Sequence, residues 1–242
     1  SLFVSSEAKV LRYLQRDLSG PATAAWSSST PILQIVDGEE RGQVLVLQPN
    51  ALTLVRFADN AAPAPVWSIP IEAGSLAGAG SRVLVRSGSL VYVGDQSIPG
   101  IRVLALNPDA APTTIATYAN PDGKVNDLAL WGRSLVLLTD SSVVVVDAGS
   151  GDAPKLRTLG TYATRSAAAS VDINSHYAFV AVGSTVSVLD IDPKSSGFLA
   201  GPVEGWDAQA DIQAIRLDKS RRAYVLLPNS YEILDTAQFG ER

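Results

Sequence analysis

LVYVGDQSIPGIRVLALNPDAAP (Leu90–Pro112) contains two short apolar runs, LVYVGD and IRVLALNP, on either side of a break that carries Pro99 and Gly100. Each run is too short for a helix and is rich in β-branched residues, so the stretch reads as strand, tight turn, strand. The same pair recurs along the chain. SLVLLTD (Ser134–Asp140) leads into SVVVVDAG (Ser142–Gly149), and YAFVAVG (Tyr177–Gly183) into TVSVLDIDP (Thr185–Pro193). QVLVLQPN then ALTLVRF spans Gln43–Phe57, AYVLLPN then YEILDT spans Ala223–Thr236, and LFVSS then KVLRYL spans Leu2–Leu14.

The first strands of these pairs begin near Leu2, Val44, Leu90, Leu135, Tyr177 and Tyr224, in steps of 42, 46, 45, 42 and 47 residues. A helical solenoid of that period would need two amphipathic helices per unit. Runs of four to six apolar residues broken by Gly, Pro, Asn, Asp and Ser do not supply them.

The flanks add strands. Ahead of the pairs lie PILQIVDG (Pro31–Gly38), RVLVRSG (Arg82–Gly88), DLALWG (Asp127–Gly132), ASVDIN (Ala169–Asn174) and IQAIRLD (Ile212–Asp218), read as inner strands. Behind them lie more polar segments such as VWSIPI (Val66–Ile71), TIATYA (Thr114–Ala119) and LRTLGTY (Leu156–Tyr162), read as outer strands. The two middle strands are the most continuously apolar, as expected when neighbouring sheets cover both faces.

These features predict an all-β fold: a β-propeller of about six blades, mostly of four antiparallel strands, in a single domain over residues 1–242. The approximate blade units are 1–30, 31–75, 76–122, 123–166, 167–209 and 210–242. The first unit has no inner strand before Leu2 and the last no outer strand after Thr236, so the ends do not simply complete one another. A fragment of a seven- or eight-bladed propeller is the alternative, and an open stack would leave a large apolar face exposed.

In this register the repeat resembles the LVIVD-type repeats of bacterial and archaeal propellers, whose unit pairs a strand ending Tyr-Val-Ala-Asp with one ending Val-Ile-Asp-Val-Ser-Asn-Pro. Leu90–Pro112 follows that unit closely, and Val188–Pro193 and Val145–Asp147 match its second half. The first two units depart from it, with Arg12 and Arg56 read at the position of the motif aspartate. The resemblance implies a secreted, periplasmic or cell-surface protein with a scaffold or interaction role. WD40 repeats match less well, because no Gly-His or Trp-Asp pair recurs at blade spacing.

Composition closes several function classes. Net charge is −5, and the densest basic group, Lys219, Arg221 and Arg222, reads as a solvated turn, so no nucleic-acid partner is expected. With no cysteine there is no disulfide or thiolate metal site. No stretch approaches a membrane span. There is no methionine, even at position 1, which reads as a processed or partial chain. His176 is the single histidine and sits in an expected turn beside Ser175, which leaves histidine–metal and Ser-His-Asp chemistry without ligands or partners.

The repeated aspartates Asp147, Asp190 and Asp235, replaced by Ala105 in the third unit, read as turn residues accepting backbone N–H bonds rather than as a cation ring. The loops Asp147–Lys155 and Asp190–Gly197 have some calcium-loop character without an EF-hand pattern. Arg82, Arg86, Arg102, Arg133 and Arg165 are available for a sialidase-like site, yet no spacing gathers them. Leu76–Ser81 is glycine-rich but no helix follows it, so it reads as a link between blades. Trp26, Trp67, Trp131 and Trp206 are expected to pack between blades, with partner anchoring as the other use.

No catalytic, cofactor or metal residue is assigned on this basis. The expected function is a non-enzymatic interaction or scaffold domain that binds a protein or carbohydrate on one flat face. The competing readings are a calcium-dependent hydrolase or lactonase, and a subunit of a larger assembly.

Overall fold

The computed structural model describes residues 2–13, 22–59, 61–73, 82–120, 123–149, 154–164, 166–218 and 222–239. Six antiparallel sheets follow one another along the chain. The first contains β1 (Leu2–Ser6), β2 (Lys9–Tyr13) and β3 (Ala24–Ser27). The second contains β4 (Gln34–Asp37), β5 (Gln43–Gln48), β6 (Ala51–Arg56) and β7 (Ala64–Pro70). The third contains β8 (Leu84–Ser87), β9 (Leu90–Asp95), β10 (Gly100–Ala105) and β11 (Thr113–Ala119). The fourth contains β12 (Asp127–Trp131), β13 (Ser134–Leu138), β14 (Ser142–Asp147) and β15 (Arg157–Ala163). The fifth contains β16 (Ala168–Asn174), β17 (Tyr177–Val182), β18 (Thr185–Asp190) and β19 (Pro202–Asp207). The sixth contains β20 (Ala214–Leu217), β21 (Arg222–Leu226) and β22 (Tyr231–Asp235), after which Ala237–Phe239 forms a 3-10 turn.

Every sheet is a meander in which strands pair in chain order. The innermost strands of successive sheets pack on one another: β4 on β8, β8 on β12, β12 on β16 and β16 on β20. This is a β-propeller of about six blades; among the described residues four are four-stranded and two three-stranded. Among the described residues no helix is long and apolar enough to cross a membrane.

The apolar residues form five separate cores, one in each seam between successive blades. The seam between the fifth and sixth blades shows how they are built. Tyr177, Phe179 and Ala181 of β17, with Val186 and Val188 of β18, meet Ile215 of β20 and Ala223 and Val225 of β21. Phe239 closes the same seam, edge-on to Phe179 at 5.7 Å and to Trp206 at 5.9 Å. Alternation along each middle strand sends successive side chains into opposite seams, so β13 and β14 are buried along almost their whole length.

Cross-strand pairing fixes the position of every strand in its blade. Val10 pairs with Trp26 in the first blade, and Ile101 with Tyr118, Val143 with Tyr162 and Val186 with Trp206 in later ones. Among the described residues the first sheet therefore contains the second, third and outermost strands of a blade. The sixth contains the innermost, second and third. The pairing also corrects the register of the first repeat. Arg12 is level with Val103, Val145 and Val188, and the motif position falls on Leu14, outside the described residues. A slip of two residues along a strand preserves the inward–outward alternation, so apolar patterning could not distinguish the two alignments. Arg56 does stand at the motif position, opposite Gln43 as Asp147 stands opposite Ser134.

Candidate functional site

The inner strands carry polar residues where they face the propeller axis, and these form a network between blades. Asp127, the first residue of β12, is fully buried. Its Oδ1 accepts the N–H groups of Arg82 (2.5 Å), in the preceding blade, and Leu128 (3.0 Å). Its Oδ2 accepts the Ser170 hydroxyl and the Val171 N–H, both at 2.8 Å, in the following blade. Asp172 repeats the device one seam on: Oδ2 accepts the Leu217 N–H of β20 at 2.9 Å, and Oδ1 accepts Arg82 Nη2 at 2.9 Å. Arg216 donates to Ser170 Oγ at 2.8 Å and stands 3.7 Å from Asp127. In the second blade Gln34 accepts from the Val83 and Leu84 N–H groups and donates to the Leu84 carbonyl.

Burial pushes the Asp127 carboxyl above its ordinary range, and the charges of Arg216 and Arg82 and the N–H bonds oppose it. Burial likewise lowers the Arg216 pKa, helped by the like charge of Arg82. A displaced carboxylate near a cleft is a candidate for chemistry. Here its acceptor positions are taken up by backbone N–H groups and a hydroxyl from three successive blades, which is the arrangement of a structural clip.

Beside this network is a cavity of about 570 Å³ between the inner strands, lined by Gln34, Asp37, Arg82, Arg86, Leu130 and Asp172 among others. Among the described residues the buried Nε of Arg86 has no hydrogen-bond partner, and Nη1 makes a long 3.4 Å contact to the Asp37 carbonyl. Arg82 and Arg86 are thus gathered at the axis by two positions of one inner strand segment. Arg102 and Arg133 are not: Arg102 pairs with Asp95, and Arg133 with Asp147, in their own blades. Arg165 lies outside the described residues.

Of the lining residues, Asp37, Arg86 and Leu130 stand toward the end of the blades where inner strand turns into second strand. That end also carries the loops between third and outermost strands. Trp131 follows Leu130 there and is 46 % exposed, at the tight turn completed by Gly132 with φ 57°. Trp67 is buried, Trp206 stacks on Phe179 at 6.3 Å, and Trp26 packs in the first seam. Packing between blades therefore holds for three of the four tryptophans, and Trp131 is the exception.

The repeated aspartates behave as turn acceptors. Asp147, Asp190 and Asp235 each accept the N–H of the residue two positions on, at 2.9–3.0 Å. In the Asp190–Gly197 loop, Asp190 also accepts the Ser195 hydroxyl and Asp192 accepts the Lys194 N–H, so its oxygens organise the loop itself. Residues 150–153 of the other calcium-like loop lie outside the described residues, as do Leu76–Ser81, Lys219 and Arg221. Among the described residues no group of three or more His, Asp or Glu side chains is arranged to hold a metal ion. His176 lies in the turn after β16, with Ser175 Oγ 3.1 Å from Nδ1 and its ring against Tyr177.

Asp147 supplies a pH test of this geometry. The Gly149 N–H, and then the Arg133 guanidinium, hold its carboxyl below the ordinary range of about 3.9. A depressed carboxylate contributes stability that is present above its unfolded-state pKa and is lost as pH falls through the folded one. Arg133→Ala is expected to shift the Asp147 titration upward without restoring the ordinary value, because the Gly149 bond remains. Side-chain carboxyl NMR across pH 2–6 reads this; an unmoved titration would mean that the ion pair contributes nothing.

The sequence reading missed the Asp127–Ser170–Arg216 and Arg82–Asp172 contacts. Their trace in the sequence is the charge of Asp127, Asp172 and Arg216 within the inner-strand stretches DLALWG, ASVDIN and IQAIRLD.

No protein-family model and no curated protein matches this chain. The likeness to LVIVD-type repeats therefore rests on the residues quoted above. Solved structures do match. A functionally unknown protein from Desulfotomaculum acetoxidans superposes with a TM-score of 0.70 at 13% identity, over 97% of this chain and 80% of its own. Hsv2 from Kluyvelomyces marxianus gives 0.65 at 13%, over 95% and 72%. The Pan2 WD40 domain of Neurospora crassa gives 0.63 at 14%, over 96% and 70%. At these identities the likeness establishes the propeller fold.

Proposed function

We propose that this chain is a non-enzymatic binding propeller of a secreted, periplasmic or cell-surface protein. Its partner is a protein that docks on the face carrying the turns from inner to second strand. The observation that carries the reading is the division of labour at the axis. Asp127, Asp172, Arg216 and Gln34 are engaged in holding blades together, while Trp131, next in the chain to the cavity-lining Leu130 at the end of an inner strand, is 46% exposed. Rigid frames that present loops and one exposed aromatic suit recognition, because an aromatic anchor gives large contact area for little entropy cost. The reading requires no cofactor.

The test is comparative affinity capture with the wild-type chain, Trp131→Ala and Val203→Ala, the last an exposed residue on an outer strand. A partner held by wild type and Val203→Ala, and weakened at least tenfold by Trp131→Ala, is expected. Equal capture by all three would overturn the assignment of this face. Binding to a glycan array in place of protein would replace the partner class with carbohydrate.

A further inference from the structure

Alternation along β8 and the residues just before it puts Arg82, Leu84 and Arg86 on one face of the third blade's inner strand, and all three line the cavity of about 570 Å³. The two guanidinium groups are in different electrical states. Arg82 donates Nη2 to Asp172 Oδ1 at 2.9 Å and to the Val171 carbonyl at 3.0 Å, so that pair is neutral within the cavity wall. Arg86 has no such partner. Its Nη1 makes the long contact to the Asp37 carbonyl, and among the described residues its buried Nε has no acceptor.

This sets Arg86 apart from the other arginines. Among the described residues Arg12, Arg56, Arg82, Arg102, Arg133, Arg216 and Arg222 each stand in an ion pair with an aspartate. Arg41, Arg86 and Arg157 do not, and of these Arg41 and Arg157 are exposed to water while Arg86 is half-buried. Water compensates an exposed guanidinium. A half-buried one with a covered, unpaired N–H is poorly compensated, and an anion brought into the cavity beside it relieves that cost.

We propose that the cavity binds an organic monocarboxylate with an apolar body, its carboxylate held by Arg86. A planar carboxylate matches a guanidinium with two parallel N–H···O bonds. The charge of the ligand follows from the wall. One cation is uncompensated, and Asp37 and Asp172 also line the cavity, so a single negative charge balances Arg86 while a dianion such as phosphate meets like charge. The body follows from Leu84 and Leu130, which give the wall apolar surface, and from a volume suited to a small organic molecule rather than a simple ion. The site is independent of the docking face assigned to Trp131, because the ligand is taken up by this chain alone.

The experiment titrates hexanoate into the 1–242 chain, with hexan-1-ol and inorganic phosphate as controls, by calorimetry and by proton–nitrogen NMR of the arginine Nε–H groups. The Arg86 signal is assigned by its loss in Arg86→Gln, whose fold is checked by circular dichroism. Hexanoate is expected to bind saturably, to shift the Arg86 signal, and to bind roughly tenfold more tightly than either control. Arg86→Gln is expected to weaken it by about tenfold, whereas Arg157→Gln, at an exposed arginine, keeps the wild-type affinity. Acetyl-leucine offers the same carboxylate as the C-terminal residue of a peptide. Tighter binding of acetyl-leucine assigns the group to a peptide end and tighter binding of hexanoate to a free acid, and both support the carboxylate site. No binding at millimolar hexanoate, equal binding of hexan-1-ol, tighter binding of phosphate, or an unchanged affinity in Arg86→Gln would each overturn the proposal.

Discussion

Val188→Asp is expected to cost more than about 4 kcal/mol, enough to unfold the chain at ambient temperature, whereas Ile233→Asp is expected to stay within about 0.5 kcal/mol of wild type. The two residues occupy the same position of consecutive blades, opposite Phe179 and Tyr224 respectively. Val188 is packed among Phe179, Val225 and Ile215 in the last apolar core, where an added carboxylate has no partner and no water. Ile233 is 48% exposed, and an aspartate there remains solvated. Urea denaturation of both variants measures the difference. Comparable losses would mean that the sixth blade is covered in solution, and would indicate self-association.

Asp127→Ala is expected to lose about 3–5 kcal/mol, the range for removing one partner from a buried charged network. The change strips an acceptor from the Val171 and Arg82 N–H groups and from the Ser170 hydroxyl, and leaves Arg216 facing a void. Each orphaned donor costs about 1–3 kcal/mol on its own, partly recovered by water entering from the axis. Asp127→Asn retains one acceptor and places an amide donor against existing donors, so it is expected to lose a smaller amount, about 1–3 kcal/mol. Denaturation midpoints of both variants test this. A neutral alanine variant would show that the three inner strands are held by backbone packing alone.

The strand pairs were legible in the sequence because both faces of a middle strand are buried. A run such as SLVLL or SVVVV has no other stable use at that length. The turn role of Asp147, Asp190 and Asp235 was legible as well, since a carboxylate at the end of an apolar strand satisfies local N–H groups without help from afar. The clips at the axis were not. Asp127 and Arg216 bond to residues 43 to 46 positions away, and nothing in DLALW specifies which strand lies beside it. Trp131 was misread because a tryptophan at a strand end has the same local pattern whether the turn faces a neighbour or water. The placement of Arg12 failed for a different reason, the two-residue periodicity that makes an even slip invisible.

A smaller regularity bears on how such a chain can change over time. In all four complete blades the pairing of third and outermost strands shifts at one place, between Leu54 and Val55, Val103 and Leu104, Val145 and Val146, and Val188 and Leu189. A bulge adds a bend and extra twist to a strand pair, so its position decides how the outer strand flares from the sheet. With the bulge in common, β7, β11, β15 and β19 are interchangeable parts. Exchange of one for another is expected to keep the bend that its neighbours meet. The propeller can thus gain, lose or trade segments by recombination at the level of half-blades, smaller than the unit its repeat suggests.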